Sequence, residues 1–215
     1  ATEVERFVVG LFDVSDPATS LGKTIDAITL LERGAERVES GLADQPVVQA
    51  RLLSTLGHIY GRLGRLAEGR KLEERSLELR RQAFGPRHVD VAESLHRLGS
   101  LARQLGDHAA AKPLLVEALA QRRELLAPAA PEIAESLTEL GYLHYFTGDH
   151  TPADACFREA LLLRQQGGDL SLIAAAWNSV ALVAEKRGEL DEAEKLHREA
   201  LAVNRQLHGE RHPDV

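Results

Sequence analysis

The chain has one cysteine, no methionine, one tryptophan and few aromatics of any kind, 4% of 215 residues. A single Cys156 excludes an internal disulfide framework and a cysteine-rich zinc site. No apolar run approaches the roughly 18 to 20 residues that would cross a bilayer, so direct membrane insertion is not expected. The first residues, Ala1 to Phe7, carry no basic leader of the secretory kind. Without methionine anywhere, including position 1, the chain reads as an excised fragment. A formal net charge of −7 argues against general affinity for nucleic acid. What the chain does contain, 44% hydrophobic and 27% charged residues, is the composition of an ordinary folded protein.

Its organisation is an internal repeat. Four segments align on the glycines Gly64, Gly106, Gly148 and Gly188, which are 42, 42 and 40 residues apart. Other columns keep this register: Leu53, Leu95, Leu137 and Trp177; Gly57, Gly99, Gly141 and Ala181; Gly69, Ala111, Ala153 and Ala193; Leu72, Leu114, Cys156 and Leu196. On either side of each glycine the apolar residues recur at three and four, the spacing of an amphipathic helix. Each unit is therefore predicted to be two antiparallel helices turned at the glycine. Facing Gly and Ala columns let the paired backbones approach. One pair cannot bury both its faces, so successive pairs must stack.

This pattern resembles the tetratricopeptide repeat, in its 42-residue kinesin light chain type. The junctions "FGPRHVDVAESL" and "LHGERHPDV" are similar to that subtype's linker. The resemblance covers residues 46–215. It implies an all-α, right-handed α-solenoid of stacked antiparallel helix pairs. The expected organisation is a degenerate capping pair over 1–45, then units at 46–88, 89–130, 131–169 and 170–208, then the start of a fifth junction. Glu73 and Ser76 depart from the family pattern, which has an aromatic and an alanine there, so the first full unit is expected to pack more loosely. The opening 60 residues also resemble the segment that begins the tetratricopeptide region of many bacterial serine/threonine kinases. That likeness implies a regulatory or sensor role, cytoplasmic, or extracytoplasmic if the parent spans a membrane. No kinase motif is present in the chain.

Gly22-Lys23-Thr24 has the ending of a phosphate-binding loop, but Pro17 stands where that loop needs a glycine N–H. Carrying the register back 42 residues makes the following segment the second helix of the degenerate pair, with "VERFVVGLF" as the first. Nucleotide binding is the least favoured reading, and no cofactor is expected. The histidines fall into the repeat: His108 and His150 follow turn glycines, His88 and His212 belong to the junctions, and His144 faces a partner helix as a hydrogen-bonded packing residue. His208 and His212 lie in a loop, which argues against zinc. Cys156, in a leucine column, reads as a small core residue. No convergent set of acid, base and nucleophile stands out, so the chain is not expected to be an enzyme.

The remaining reading is binding. In stacked helical pairs the first helices line the inner face. First-helix positions that the core does not use are Arg51, Ser54, Thr55, His58 and Arg62; then Glu93, His96, Arg97, Ser100 and Arg103; then Glu135, Thr138, Tyr142, Tyr145 and Phe146; then Asn178, Ser179, Leu182, Glu185 and Lys186. Arginines and histidines dominate the first two sets and aromatics the third. This suits a protein or peptide with acidic and apolar side chains. Asn178 is placed to hold a peptide backbone, as groove asparagines do in the resembled family. The rival reading is a spacer or assembly scaffold with no peptide ligand. The expected oligomeric state is a monomer or a weak end-to-end dimer.

Overall fold

The computed structural model describes residues 27–209. The Gly22-Lys23-Thr24 segment, the expected first capping helix, His212 and the final junction lie outside them. Among the described residues every regular element is a helix: α1 (Ala27–Gly41), α2 (Pro46–Arg62), α3 (Leu66–Phe84), α4 (Val89–Gln104), α5 (His108–Leu125), α6 (Pro131–Phe146), α7 (His150–Gly167), α8 (Leu170–Arg187) and α9 (Leu190–His208). The chain divides into two compact units, the first ending at Leu101 and the second beginning at Ala102, inside α4.

The helix boundaries follow from local chemistry. Pro46 and Pro131 open α2 and α6, where a missing N–H costs nothing. Asp107 caps α5 by accepting from the Ala110 N–H at 3.1 Å. At the other end of each first helix, Gly64, Gly106, Gly148 and Gly188 adopt φ of 76°, 79°, 84° and 79°. The residue after each glycine then donates its N–H to the carbonyl five positions back: Arg65 to Tyr60, Asp107 to Ala102, Asp149 to His144 and Glu189 to Ala184, at 2.8–2.9 Å. This is the Schellman closure, and it satisfies carbonyls the helix end would leave open.

In the first unit α1, α2 and α3 enclose Val38, Leu42, Ala50, Leu53, Leu56 and Leu79. α2 and α3 cross at two glycines; a methyl group on Gly69 would lie 2.7 Å from the Gly57 carbonyl oxygen. The expected loosening at Glu73 and Ser76 is corrected by the structure: both are fully enclosed, with 1% and 0% exposure. Ser76 Oγ donates to the Ala50 carbonyl at 2.8 Å and lies 3.4 Å from Ser94 Oγ. With glycine on both helices the backbones sit close enough for short polar side chains to reach partners.

In the second unit Ala111, Leu115, Ile133, Ala134, Leu137, Leu140 and Leu143 form one core cluster, with Cys156 packed half-buried at its edge. A second cluster joins Ala153, Phe157, Val180 and Val183, and a third Ala181, Ala184 and Ala193. Phe157, 1% exposed, lies flat against Gly141, where a Cβ would meet three ring atoms at 2.5–2.9 Å. Gly141→Ala is therefore expected to destabilise the second unit by about 1–3 kcal/mol through overpacking. Shrinking the ring in the double variant Gly141→Ala/Phe157→Leu should recover part of that loss. Urea denaturation measures both, and additive losses would disprove the contact.

Candidate functional site

Within the first unit, α2 and α4 carry the cationic side chains that the sequence placed on the inner face. Arg51, His58 and Arg62 are exposed on α2, and His96, Arg97 and Ser100 are half-buried on α4. Three of them act on one another. The imidazole of His58 is held below its ordinary pKa, first by partial burial and then by the charges of Arg97 and Arg62. Glu93 opposes this shift and is itself bonded to Arg97. Thr55 spends its hydroxyl on the Arg51 carbonyl at 3.0 Å.

Ser54 is a correction. It is 3% exposed, turned into the unit beside Glu73 rather than outward. The close α2–α3 crossing draws that position inside. Glu73 has one oxygen, Oε1, buried without a hydrogen-bond partner among the described residues. Burial pushes its carboxyl above the usual range, while the hydroxyls of Ser94 and Ser54 and the charges of Arg80 and Arg97 pull it down.

In the second unit Arg103 is the centre of the aromatic group. Its Nε donates to Glu139 at 3.0 Å, and its guanidinium carbon lies 5.5 Å from the Tyr142 ring and 5.9 Å from that of Phe146. Arg103 is thus already paired and stacked, not a free cation. Tyr142 is half core: its ring meets Phe157 edge-on at 5.0 Å and its hydroxyl lies 3.1 Å from Ser179 Oγ. Ser179 itself is buried, a second correction. Tyr145 packs edge-to-face on Phe146 at 5.4 Å, and Phe146 remains 59% exposed.

On α8, Leu182 is half-buried and Lys186 exposed. Asn178 is exposed, yet its Oδ1 lies 2.9 Å from His197 Nδ1 on α9, and His197 Nε2 is 3.3 Å from Glu185. Its amide is engaged by the second helix of its own pair, because a histidine on α9 stands where the earlier units place Leu115 and Phe157. Thr138 donates to the Ala134 carbonyl at 2.8 Å and accepts from Arg164 at 3.1 Å. Among the junction histidines, His88 Nδ1 accepts from the Asp90 N–H at 3.2 Å and its ring stacks on Phe84 at 4.1 Å. His144 reaches Asp149 at 3.5 Å across its turn. The Cys156 thiol is pushed up by burial and then by Glu159, away from nucleophilic reactivity.

One set of residues escaped the sequence reading. Arg80 and Arg122, 7% and 2% exposed, each reach from a second helix to the start of the next first helix. Arg80 Nη1 donates to the Asp90 carbonyl at 2.7 Å and to Ser94 Oγ at 2.9 Å. Arg122 Nη1 repeats this with the Glu132 carbonyl at 2.7 Å and Ser136 Oγ at 2.8 Å. The signal was in the register, since all three members of the motif recur at 42 residues.

The tetratricopeptide repeat family matches residues 48–124 and 98–166, and a second description of the same repeat matches 173–214. The chain is a tetratricopeptide repeat protein. Its fold class is all-α, the solenoid of stacked helix pairs seen in solved members. Among the similar structures is BtubC (BKLC) from P. vanneervenii, 23% identical over 98% of this chain and 82% of that one, TM-score 0.76. Another is a putative kinesin light chain with nearly identical repeats from Podosopora anserina, 16% identical, covering 96% and 97%, TM-score 0.68. Aspartyl phosphate phosphatase F from Bacillus subtilis is 12% identical over 94% of this chain and 49% of that chain, TM-score 0.72. No curated protein matches. At these identities the likeness establishes the tetratricopeptide fold, whose general role is protein–protein interaction.

Proposed function

We propose that the chain is a non-catalytic interaction module that binds an acidic and apolar partner segment through its first helices. Each unit supports this reading by itself. In the first, the observation that carries it is the exposure of Arg51 and Arg62 on α2, with His58 between them and Arg97 half-buried on the neighbouring α4 beside its partner Glu93. In the second, an exposed Phe146 next to Tyr145 supplies apolar contact area with its orientation held by Arg103. Arg51, His96, Ser100, Thr138, Leu182 and Lys186 are the further contact candidates. A place in the regulatory region of a bacterial kinase belongs to the same proposal and rests on the sequence resemblance alone.

The test is fluorescence anisotropy with a labelled peptide alternating glutamate with leucine and tryptophan. Affinity is expected to fall as salt rises, and Arg62→Glu to weaken binding by about tenfold, or about 1.4 kcal/mol. Bound carboxylates should also raise the His58 pKa, visible in its ring resonances. If Arg62→Glu and Phe146→Ala bind as the parent does, the spacer reading replaces this one.

A further inference from the structure

The buried arginine motif has a third member that is not closed. Arg164 stands 42 residues after Arg122, but Ala176 occupies the place that Ser94 and Ser136 hold in the earlier units. The junction is also shorter: two residues, Gly168 and Asp169, separate α7 from α8, against four and five at the two earlier junctions. Arg164 Nη1 is left at 3.4 Å from the Leu172 carbonyl, and Nη2 turns to Thr138 Oγ1 at 3.1 Å. Beside it opens a pocket of about 250 Å³ with apolar walls from Pro131, Ala134, Leu163 and Leu172.

Two acids also line this pocket, and both have other work. Asp169 Oδ1 accepts from the Ser171 and Leu172 N–H groups at 2.9 and 3.2 Å, at the positive end of α8. Glu135 lies 3.7 Å from Arg122 Nη1. Among the described residues no carboxylate comes within ion-pair reach of Arg164. Its charge is disfavoured first by burial, against which the charges of Tyr142 and Glu135 act. A half-buried guanidinium beside an apolar cavity, with no carboxylate of the described residues bonded to it, is open to a further anion.

We propose that the pocket beside Arg164 is a binding site for a carboxylate on a short aliphatic stem, supplied by a small free acid or by a glutamate side chain of a docked partner. Arg164 offers the planar fork that carboxylates match, and the apolar walls take the stem. The volume lies below that of sites for drug-sized ligands, so it admits one side-chain-sized group. The site shares Thr138, which accepts from Arg164, with the surface proposed above, but its test changes none of that surface's residues.

The experiment is NMR titration of the ¹⁵N-labelled chain at constant ionic strength with butanoate, with butanamide, and with glutamate and glutamine blocked at both ends. Butanoate should give saturable shifts at the Arg164 Nε–H and the Leu172 and Gly167 amides, and butanamide none. Arg164→Gln should weaken binding by about tenfold or more, whereas Arg123→Gln, which removes an exposed arginine paired with Glu159, should not. Glu135→Gln should tighten it. Leu172→Trp fills the pocket from a 45% exposed position without touching the arginine, and should abolish binding even if Arg164→Gln fails to fold. Saturation by blocked glutamate as well as butanoate assigns the site to partner side chains too; saturation by butanoate alone assigns it to small free acids. If neither saturates, or if Arg164→Gln and Leu172→Trp both bind butanoate like the parent, the proposal is overturned.

Discussion

Arg122→Ala is expected to destabilise the second unit by about 2–5 kcal/mol, the range for truncating a large buried side chain. Arg122 is 2% exposed, and its Nη1 serves the Glu132 carbonyl and Ser136 Oγ together. Truncation would leave the Glu132 carbonyl and Ser136 hydroxyl without that donor and open a cavity between α5 and α6. Arg122→Lys should rescue little, because an ammonium on a flexible stem does not reproduce the fork. The corresponding change at Arg164, where the motif is open and the carbonyl contact is 3.4 Å, should cost distinctly less. Chemical denaturation of the three variants decides the point. Equal losses at Arg122 and Arg164 would mean that the closed geometry contributes nothing.

Glu73 should make the first unit's stability depend on pH in the direction opposite to that of a salt-bridged carboxylate. Burial raises its folded pKa above the unfolded value. Below the unfolded value, about 4.3, both states are protonated and the group costs no charge burial. As pH rises past it the unfolded chain ionises first, so folding is progressively disfavoured until the pH passes the raised folded value. Glu73→Gln, nearly isosteric, should remove that fall. Glu73→Leu, which matches Leu115 in the same column, should abolish the fall as well, while leaving the Ser54 and Ser94 hydroxyls without their acceptor. Melting curves between acid and neutral pH provide the measurement. A Glu73→Gln profile parallel to the parent would show that Ser54, Ser94, Arg80 and Arg97 balance the desolvation.

Several parts of this structure were legible as pattern. The turn glycines are spaced identically in sequence and in the fold because each must take a positive φ at the same point of a repeated hairpin. The leucine columns point inward for the same reason: Leu53, Leu95 and Leu137 are all buried at 0–1%. Periodicity was less reliable for polar residues. Ser54 shares its face with His58 on the helical wheel, yet the Gly57–Gly69 crossing takes it inside. Asn178 was free on the pattern and is bonded to His197 in the fold.

The sequence by itself determined the helical hairpins, their register and which stripe of each helix is apolar, since these depend on spacings of a few residues along one chain. Only the tertiary structure decided which charged residues are buried and what they touch. Arg80 and Arg122 look like surface arginines until the next helix brings a carbonyl and a serine to their guanidinium groups. Glu73 looks like a solvated carboxylate until three helices close over it. Burial of charge depends on partners far along the chain: the repeat register records that Ala176 replaces Ser136, but not that the serine meets a buried arginine.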